Sequence, residues 1–121
     1  MYGRLAEEVA ARHYGLDLDH SEVDGVRVDA IGPDGRPFDV KAAMANRTSS
    51  KPRFRLWMDQ HDVLTARDGG YVFVLYLARG RGIHVKKIRS VAARSLPSLT
   101  WGTGGHRGGG SQVKIPPEAI F

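Results

Sequence analysis

The residues Gly32-Pro33-Asp34-Gly35, set between two segments of alternating character, constrain this 121-residue chain more than any other feature. Upstream, Val26, Val28 and Ala30 alternate with Arg27, Asp29 and Ile31; downstream, Phe38, Val40 and Ala42 alternate with Asp39 and Lys41. A period of two belongs to a half-buried strand. Pro presets the first corner of a turn and Gly accepts a positive φ, so Pro-Asp-Gly favours a three-residue loop, a type I turn followed by Gly in the left-handed region. With Pro33, Asp34 and Gly35 as that loop, Gly32 faces Arg36, Ala30 faces Phe38, Asp29 faces Asp39, Val28 faces Val40 and Arg27 faces Lys41. The apolar residues then share one face of the ribbon and the charges the other. A two-residue loop on Asp34-Gly35 would instead send Asp29 and Asp39 to opposite faces.

Around this hairpin the chain reads as a mixed α/β sheet flanked by helices. Leu5, Ala6, Val9, Ala10 and His13 recur at helical spacing, with Gly15 as a C-terminal cap, which predicts a helix over 3–14 and a core-facing His13. Residues 16–24 are acidic and turn-rich; 46–55 are polar and basic and read as an exposed loop. A second helix is expected over 57–67, ending before Asp68-Gly69-Gly70. The run 71–77 (YVFVLYL), apolar on both faces, is the central-strand candidate. A shorter strand over 83–88 follows, then a short helix over 89–96 stopped by Pro97, and a last edge strand over 112–115. Residues 102–110, six of nine being glycine, read as a flexible loop. The predicted order is α-β-β-(β)-α-β-β-α, in one domain over 1–121.

Two carboxylates opposed on one sheet face, about 4.5–5.5 Å apart at Cβ, repel one another. A divalent cation between them turns that repulsion into a ligand set, because hard oxygen donors suit Mg²⁺ or Mn²⁺. Lys41, two residues beyond Asp39, emerges on the same face and can reach a phosphate or the water attacking it.

The pattern resembles the PD-(D/E)xK nuclease superfamily, and within it the archaeal Holliday junction resolvases. The residues that carry the resemblance are Gly3-Arg4-Leu5-Ala6-Glu7, Val28-Asp29, Asp39-Val40-Lys41 and Gln60, over about the first 80 residues. Val28 stands where the motif has proline, and Asp39 where glutamate is more usual. The resemblance implies a restriction-endonuclease-like fold, with Asp29, Asp39 and the Val40 carbonyl as metal ligands. It also implies that Glu7 binds the metal directly or through water, that Lys41 positions or deprotonates the attacking water, and that the products carry a 5′-phosphate. Glu7 and Glu8 both lie off the apolar arc of the first helix, and helical geometry does not choose between them; the family spacing favours Glu7.

Charge distribution supports a polyanionic partner. Residues 1–35 carry eight acidic and three basic side chains, and residues 36–121 five acidic and fifteen basic. Arg36, Arg47, Lys51, Arg53 and Arg55, with Gln60, are the candidate nucleic-acid contacts. The histidines show no zinc-type spacing, there is no cysteine, no P-loop and no nucleophile elbow. Trp57 and Trp101 could stack on bases or pack in the core. The expected protein is a cytoplasmic, Mg²⁺-dependent DNA endonuclease (Mn²⁺ substituting), resolvase-like and homodimeric, with no membrane partner. Its rivals are a restriction- or repair-type endonuclease on duplex DNA and a non-catalytic basic nucleic-acid-binding module.

Overall fold

A computed structural model of the protein describes residues 2–96, 99, 102–103 and 111–121. Helix α1 (Tyr2–Tyr14) is followed by the short hairpin β1 (Glu22–Val23) and β2 (Val26–Arg27), then β3 (Ala30–Ile31) and β4 (Pro37–Met44). Strand β5 (Phe54–Trp57) runs directly into α2 (Met58–Ala66), and the long hairpin β6 (Gly70–Arg79) and β7 (Gly82–Ala92) comes next. A 3-10 turn (Ala93–Ser95), β8 (Gly102–Thr103), β9 (Ser111–Ile115) and a last 3-10 turn (Pro117–Ala119) complete the described elements.

The main sheet has the order β3-β4-β6-β7, with β4 and β6 parallel and the outer pairs antiparallel; β5-β9-β8 form a second, antiparallel sheet. Strand β6 is central and apolar on both faces, as its sequence predicts, because each face is covered. On one face Val72, Val74 and Tyr76, with Val40, pack against Ala6 and Ala10 of α1. Both alanines are fully buried, so the small side chains set how closely the helix approaches the sheet. On the other face Tyr71, Phe73 and Leu75 pack against Phe54, Leu56, Leu64 and Ile115 from the second sheet and α2. Among the described residues no helix is long and apolar enough to cross a membrane.

The hairpin turn has the expected geometry. Gly35 lies at φ +84°, its N–H donates to the Gly32 carbonyl at 3.0 Å, and the Gly32 N–H donates to the Arg36 carbonyl at 2.8 Å. The pairs Ala30–Phe38 and Ile31–Pro37 fall in the expected register. The ladder then stops short of its expected length. The continuous strand over 26–31 is two strands, since at Val28 and Asp29 the chain leaves β4. The Val28 N–H donates to Ser21 O at 3.0 Å, and β2 pairs with β1 through Glu22–Arg27. Arg27 therefore does not face Lys41 in a ladder, and Val28 joins the cluster of Tyr71 and Phe73 while Val40 joins that of α1.

Other expectations need correction. The helix over 89–96 is instead the second half of β7 plus one 3-10 turn, because the first residues of β6 need a partner: Tyr71 pairs with Val91 and Gly70 with Ala92. Pro97 lies outside the described residues. The segment 112–115 is no edge; β9 lies between β5 and β8. Within the glycine-rich segment, Gly102–Thr103 pair with β9, and 104–110 lie outside the described residues. His13 is exposed, its ring edge-on to Tyr14.

The parallel register of β4 and β6, which sets Asp39 beside Tyr71, depends on close backbone approach at Gly69 and Gly70. A Cβ at Gly69 would lie 2.1 Å from the Pro37 carbonyl oxygen, and one at Gly70 2.6 Å from that of Val91. Backbone cannot swing aside as a side chain does. Gly69→Ala is expected to lower stability by about 3 kcal/mol or more, roughly 10 °C in Tm. Gly3→Ala, where an added Cβ meets nothing within 4 Å, is expected to leave Tm unchanged or raised. Thermal melts of the two variants check this; equal Tm values would refute the register argument.

Candidate active site

Where the chain before β3 diverges from β4, crossed bonds tie the two segments, each aspartate accepting from a backbone amide of the other segment. The Asp29 N–H donates to Asp39 Oδ1 at 3.2 Å, and the Val40 N–H donates to Asp29 Oδ2 at 2.9 Å. Asp29 and Asp39 are thus brought together as the hairpin register implies, though by crossed side-chain caps and not as a ladder pair. A residue's N–H and C=O lie on the same edge of a strand, so the Val40 carbonyl is directed to the Asp29 side of β4 as well.

Asp39 is only 5% exposed. Burial pushes its carboxyl up to about 7; the Lys41 ammonium pulls it down, and the Asp29 carboxylate pushes it further up. Lys41 Nζ lies 2.8 Å from Asp39 Oδ2 and donates to Gln60 Oε1 at 2.9 Å. Gln60 is buried on α2, and its Nε2 donates to the Arg27 carbonyl at 2.9 Å. Its amide therefore holds the lysine and ties α2 to β2. Gln60, expected among the nucleic-acid contacts, is buried with both polar ends of its amide engaged within the chain.

Helix α1 brings a third carboxylate. Glu7 Oε1 lies 3.1 Å from His20 Nε2, and Glu8 instead pairs with Arg4 at 3.5 Å on the exposed side, so the structure separates the two glutamates that periodicity could not. Burial raises the Glu7 carboxyl, His20 opposes that, and Asp39 adds to it. His20 Nδ1 is in turn 3.6 Å from Asp29 Oδ1. Spacing alone gave no reason to single out His20: it sits in the acidic turn segment, with no second histidine at metal-ligand spacing.

The residues fit a divalent cation. Glu7, Asp29 and Asp39 supply hard oxygen donors, Glu7 and Asp39 with carboxyls raised chiefly by burial, and one donor atom each from Glu7, Asp29 and His20 lies within 4.8 Å of the other two. A buried carboxylate held so far from its ordinary range is short of positive charge, which is what a bound cation supplies.

Beside this cluster a cleft of about 630 Å³ opens along β4, lined by Lys41, Arg47, Lys51, Arg53, Arg55 and Lys114 together with Ser50, Pro52, Met44, Tyr76 and the 40–43 backbone stretch. Among the described residues six cations and no carboxylate line it, and Lys41 belongs both to the cleft and to the acidic cluster. Lys114 was invisible to sequence reasoning, because β9 brings it opposite Arg55 from 59 positions away. Arg36 is not part of the cleft. It sits at the turn end of the hairpin, ion-paired with Asp34 at 3.0 Å and Asp68 at 3.5 Å, with Glu22 and Asp24 nearby. Trp57 is half-buried with the Arg55 guanidinium 5.9 Å from its ring centre; Trp101 lies outside the described residues.

No curated protein and no solved structure matches the chain. A family model, that of the PD-(D/E)XK nuclease superfamily domain, matches residues 1–121. The two helices and mixed sheet are consistent with that fold, and nucleases of this kind act on nucleic acid with divalent metals. With its whole length matched, and with Asp29, Asp39 and Lys41 brought together at the point where β3 leaves β4, the chain belongs to the PD-(D/E)XK nuclease superfamily.

Proposed function

We propose that this chain is a divalent-metal-dependent endodeoxyribonuclease in which Glu7, Asp29, Asp39 and the Val40 carbonyl hold Mg²⁺ or Mn²⁺ and Lys41 acts on the reacting phosphate. One observation carries the reading: a cleft lined by six cations runs into a lysine whose Nζ is 2.8 Å from a buried carboxylate. A cation held there supplies Lewis-acid stabilisation of the phosphoryl charge and lowers the pKa of water near it.

The chain's own side chains do the rest. Arg47, Lys51, Arg53, Arg55 and Lys114 grip backbone phosphates along the cleft, drawing the strand toward β4. Gln60 fixes the Lys41 ammonium at 2.9 Å, so that it meets a phosphoryl oxygen or the attacking water without first being ordered. Asp39, pushed up to about 7 by burial in the metal-free site, would be held ionised as a ligand once a cation is bound beside it. The first-helix and hairpin resemblance favours branched DNA, and a homodimer would present two such sites to the two strands of a junction.

A second reading has its own support, because the crossed caps between Asp29 and Asp39 satisfy backbone amides and would do so in a non-catalytic nucleic-acid-binding module. Cleavage separates the two. Asp39→Asn and Lys41→Ala are expected to lower Mg²⁺-dependent cleavage about 1000-fold or more, with DNA affinity changed less than about threefold. A wild-type protein that binds DNA but cuts no junction, flap, single strand or duplex with either metal would leave the binding module standing. Preferential cutting of four-way junctions over linear duplexes of the same sequence is expected; equal cutting would remove the resolvase assignment.

Salt dependence tests the cleft. Arg55→Ala and Lys114→Ala should each lower the slope of log K against log salt by about 1, while Arg36→Ala leaves it unchanged. The reverse ranking would relocate the interface.

Asp39 also makes a pH prediction for the protein in chelator. The folded chain keeps the Asp39 proton up to about 7, against 3.8 for an ordinary aspartate, so between those values the fold binds the extra proton. Stability from this group is full below about 4 and is lost as pH rises toward about 7. Asp39→Asn should flatten that part of the profile, and excess Mg²⁺ or Mn²⁺ should raise the wild-type Tm more at pH 8 than at pH 5. Parallel melting profiles for wild type and variant would contradict it.

A further inference from the structure

The loop between α1 and β1 holds one residue in a conformation that side chains rarely adopt. His20 has φ +50°, the left-handed region that a residue with a Cβ enters only at a cost. The surroundings impose it. Its N–H donates to the Asp29 carbonyl at 3.2 Å, the Ser21 N–H donates to Asp19 Oδ1 at 3.1 Å, and Asp17 exchanges both backbone hydrogen bonds with Ile31 at 2.8 and 2.9 Å. The loop is thereby pinned to the strand that carries Asp29, and the imidazole is delivered between two carboxylates.

The spacing there admits a shared ion. One donor atom from each of Glu7, His20 and Asp29 lies within 4.8 Å of the other two. Around a six-coordinate ion with bonds of about 2.1 Å, neighbouring donors stand about 3 Å apart and opposite ones about 4.2 Å. His20 Nε2 and Glu7 Oε1, at 3.1 Å, match the neighbouring spacing.

We infer that His20 is a ligand of the ion held by Glu7 and Asp29, and that its imidazole makes the centre select Mn²⁺ over Mg²⁺. The inference rests on the metal-dependent reading above. Mg²⁺ takes oxygen donors and sheds water reluctantly, whereas imidazole nitrogen suits the transition ions; an all-carboxylate site would favour neither so strongly. The three donors come from α1, the α1–β1 loop and the residue just before β3, so the ion joins the helix to the hairpin.

Mn²⁺ binding to the full chain tests this without any turnover. Titration followed by electron paramagnetic resonance gives the affinity, and pulsed measurement on the bound ion reports whether a ¹⁴N nucleus is coupled to it. Wild type is expected to show the nitrogen coupling. His20→Ala should lose the coupling and bind Mn²⁺ about tenfold or more weakly, since even outer contacts to a metal ligand are worth about 10–100-fold. Mg²⁺ affinity, read by competition, should fall less, so that the Mn²⁺ to Mg²⁺ preference drops. His20→Asp should regain Mg²⁺ affinity without the nitrogen signal, and unchanged melting of the two variants shows that they fold. Bound Mn²⁺ that depends on Asp29 but shows no nitrogen coupling, or an unchanged metal preference in His20→Ala, overturns the role of His20 alone. Failure of wild type to bind Mn²⁺ at all overturns both this inference and the metal-dependent reading.

Discussion

The crossed hydrogen bonds between Asp29 and Asp39 are the interaction on which the site depends. A sheet that splits must leave amides without strand partners, and an unpaired buried amide costs about 1–3 kcal/mol. Here the two nearest side-chain acceptors do the capping, each across the gap to the other strand. Charge-assisted bonds of this kind are individually strong. They also pull two carboxylates into one partly buried space, where desolvation and mutual repulsion raise the Asp39 carboxyl despite Lys41 at 2.8 Å. The device that satisfies the backbone creates an electrostatic problem, and the surrounding elements are arranged around that problem.

Strand β6 makes the arrangement rigid. Covered on one face by Ala6 and Ala10 and on the other by the second sheet and α2, it fixes β4 through seven parallel pairs from Phe38–Gly70 to Met44–Tyr76. The same packing fixes what reaches the split from outside the hairpin. Helix α1 carries Glu7 from the face that buries Ala6 and Ala10, and α2 carries Gln60 from the face that buries Leu64. Glu7 and Gln60 thus approach the two aspartates from opposite layers, which no local stretch of sequence encodes.

What could be read from the sequence follows that division. The turn chemistry of Pro33-Asp34-Gly35 is local, and it gives the loop, the register and the meeting of Asp29 with Asp39. The apolar run of β6 and the periodicity of α1 are local as well. The divergence at Val28 was not legible, because Val28 suits a ladder as well as it suits the core beside Tyr71; pairing of β2 with β1 decided it. Residues 89–92 read as helix, yet the backbone of β6 needed them as a strand. Arg36 looked like its basic neighbours in sequence, but the turn directs it to Asp34 and Asp68. His20 and Lys114 had no signature, since the loop bridge at Asp17–Ile31 and the β5–β9 pairing that place them are long-range.

Lys41 stands where the two charge regimes meet. Five cations line the cleft with it, and three carboxylates lie on its other side. A polyanion drawn along the cleft is favoured at each step until it nears Asp39, where its phosphate meets negative charge at short range and low local dielectric. One ammonium, already shared with Asp39 and Gln60, does not offset three carboxylates and an incoming phosphate. On the proposed reading a divalent cation removes that barrier and stabilises the charge that develops on the phosphate. It also relieves the buried carboxylates of their mutual repulsion. Binding of nucleic acid and binding of metal are then positively coupled through the same few ångströms, since each supplies charge that the other lacks.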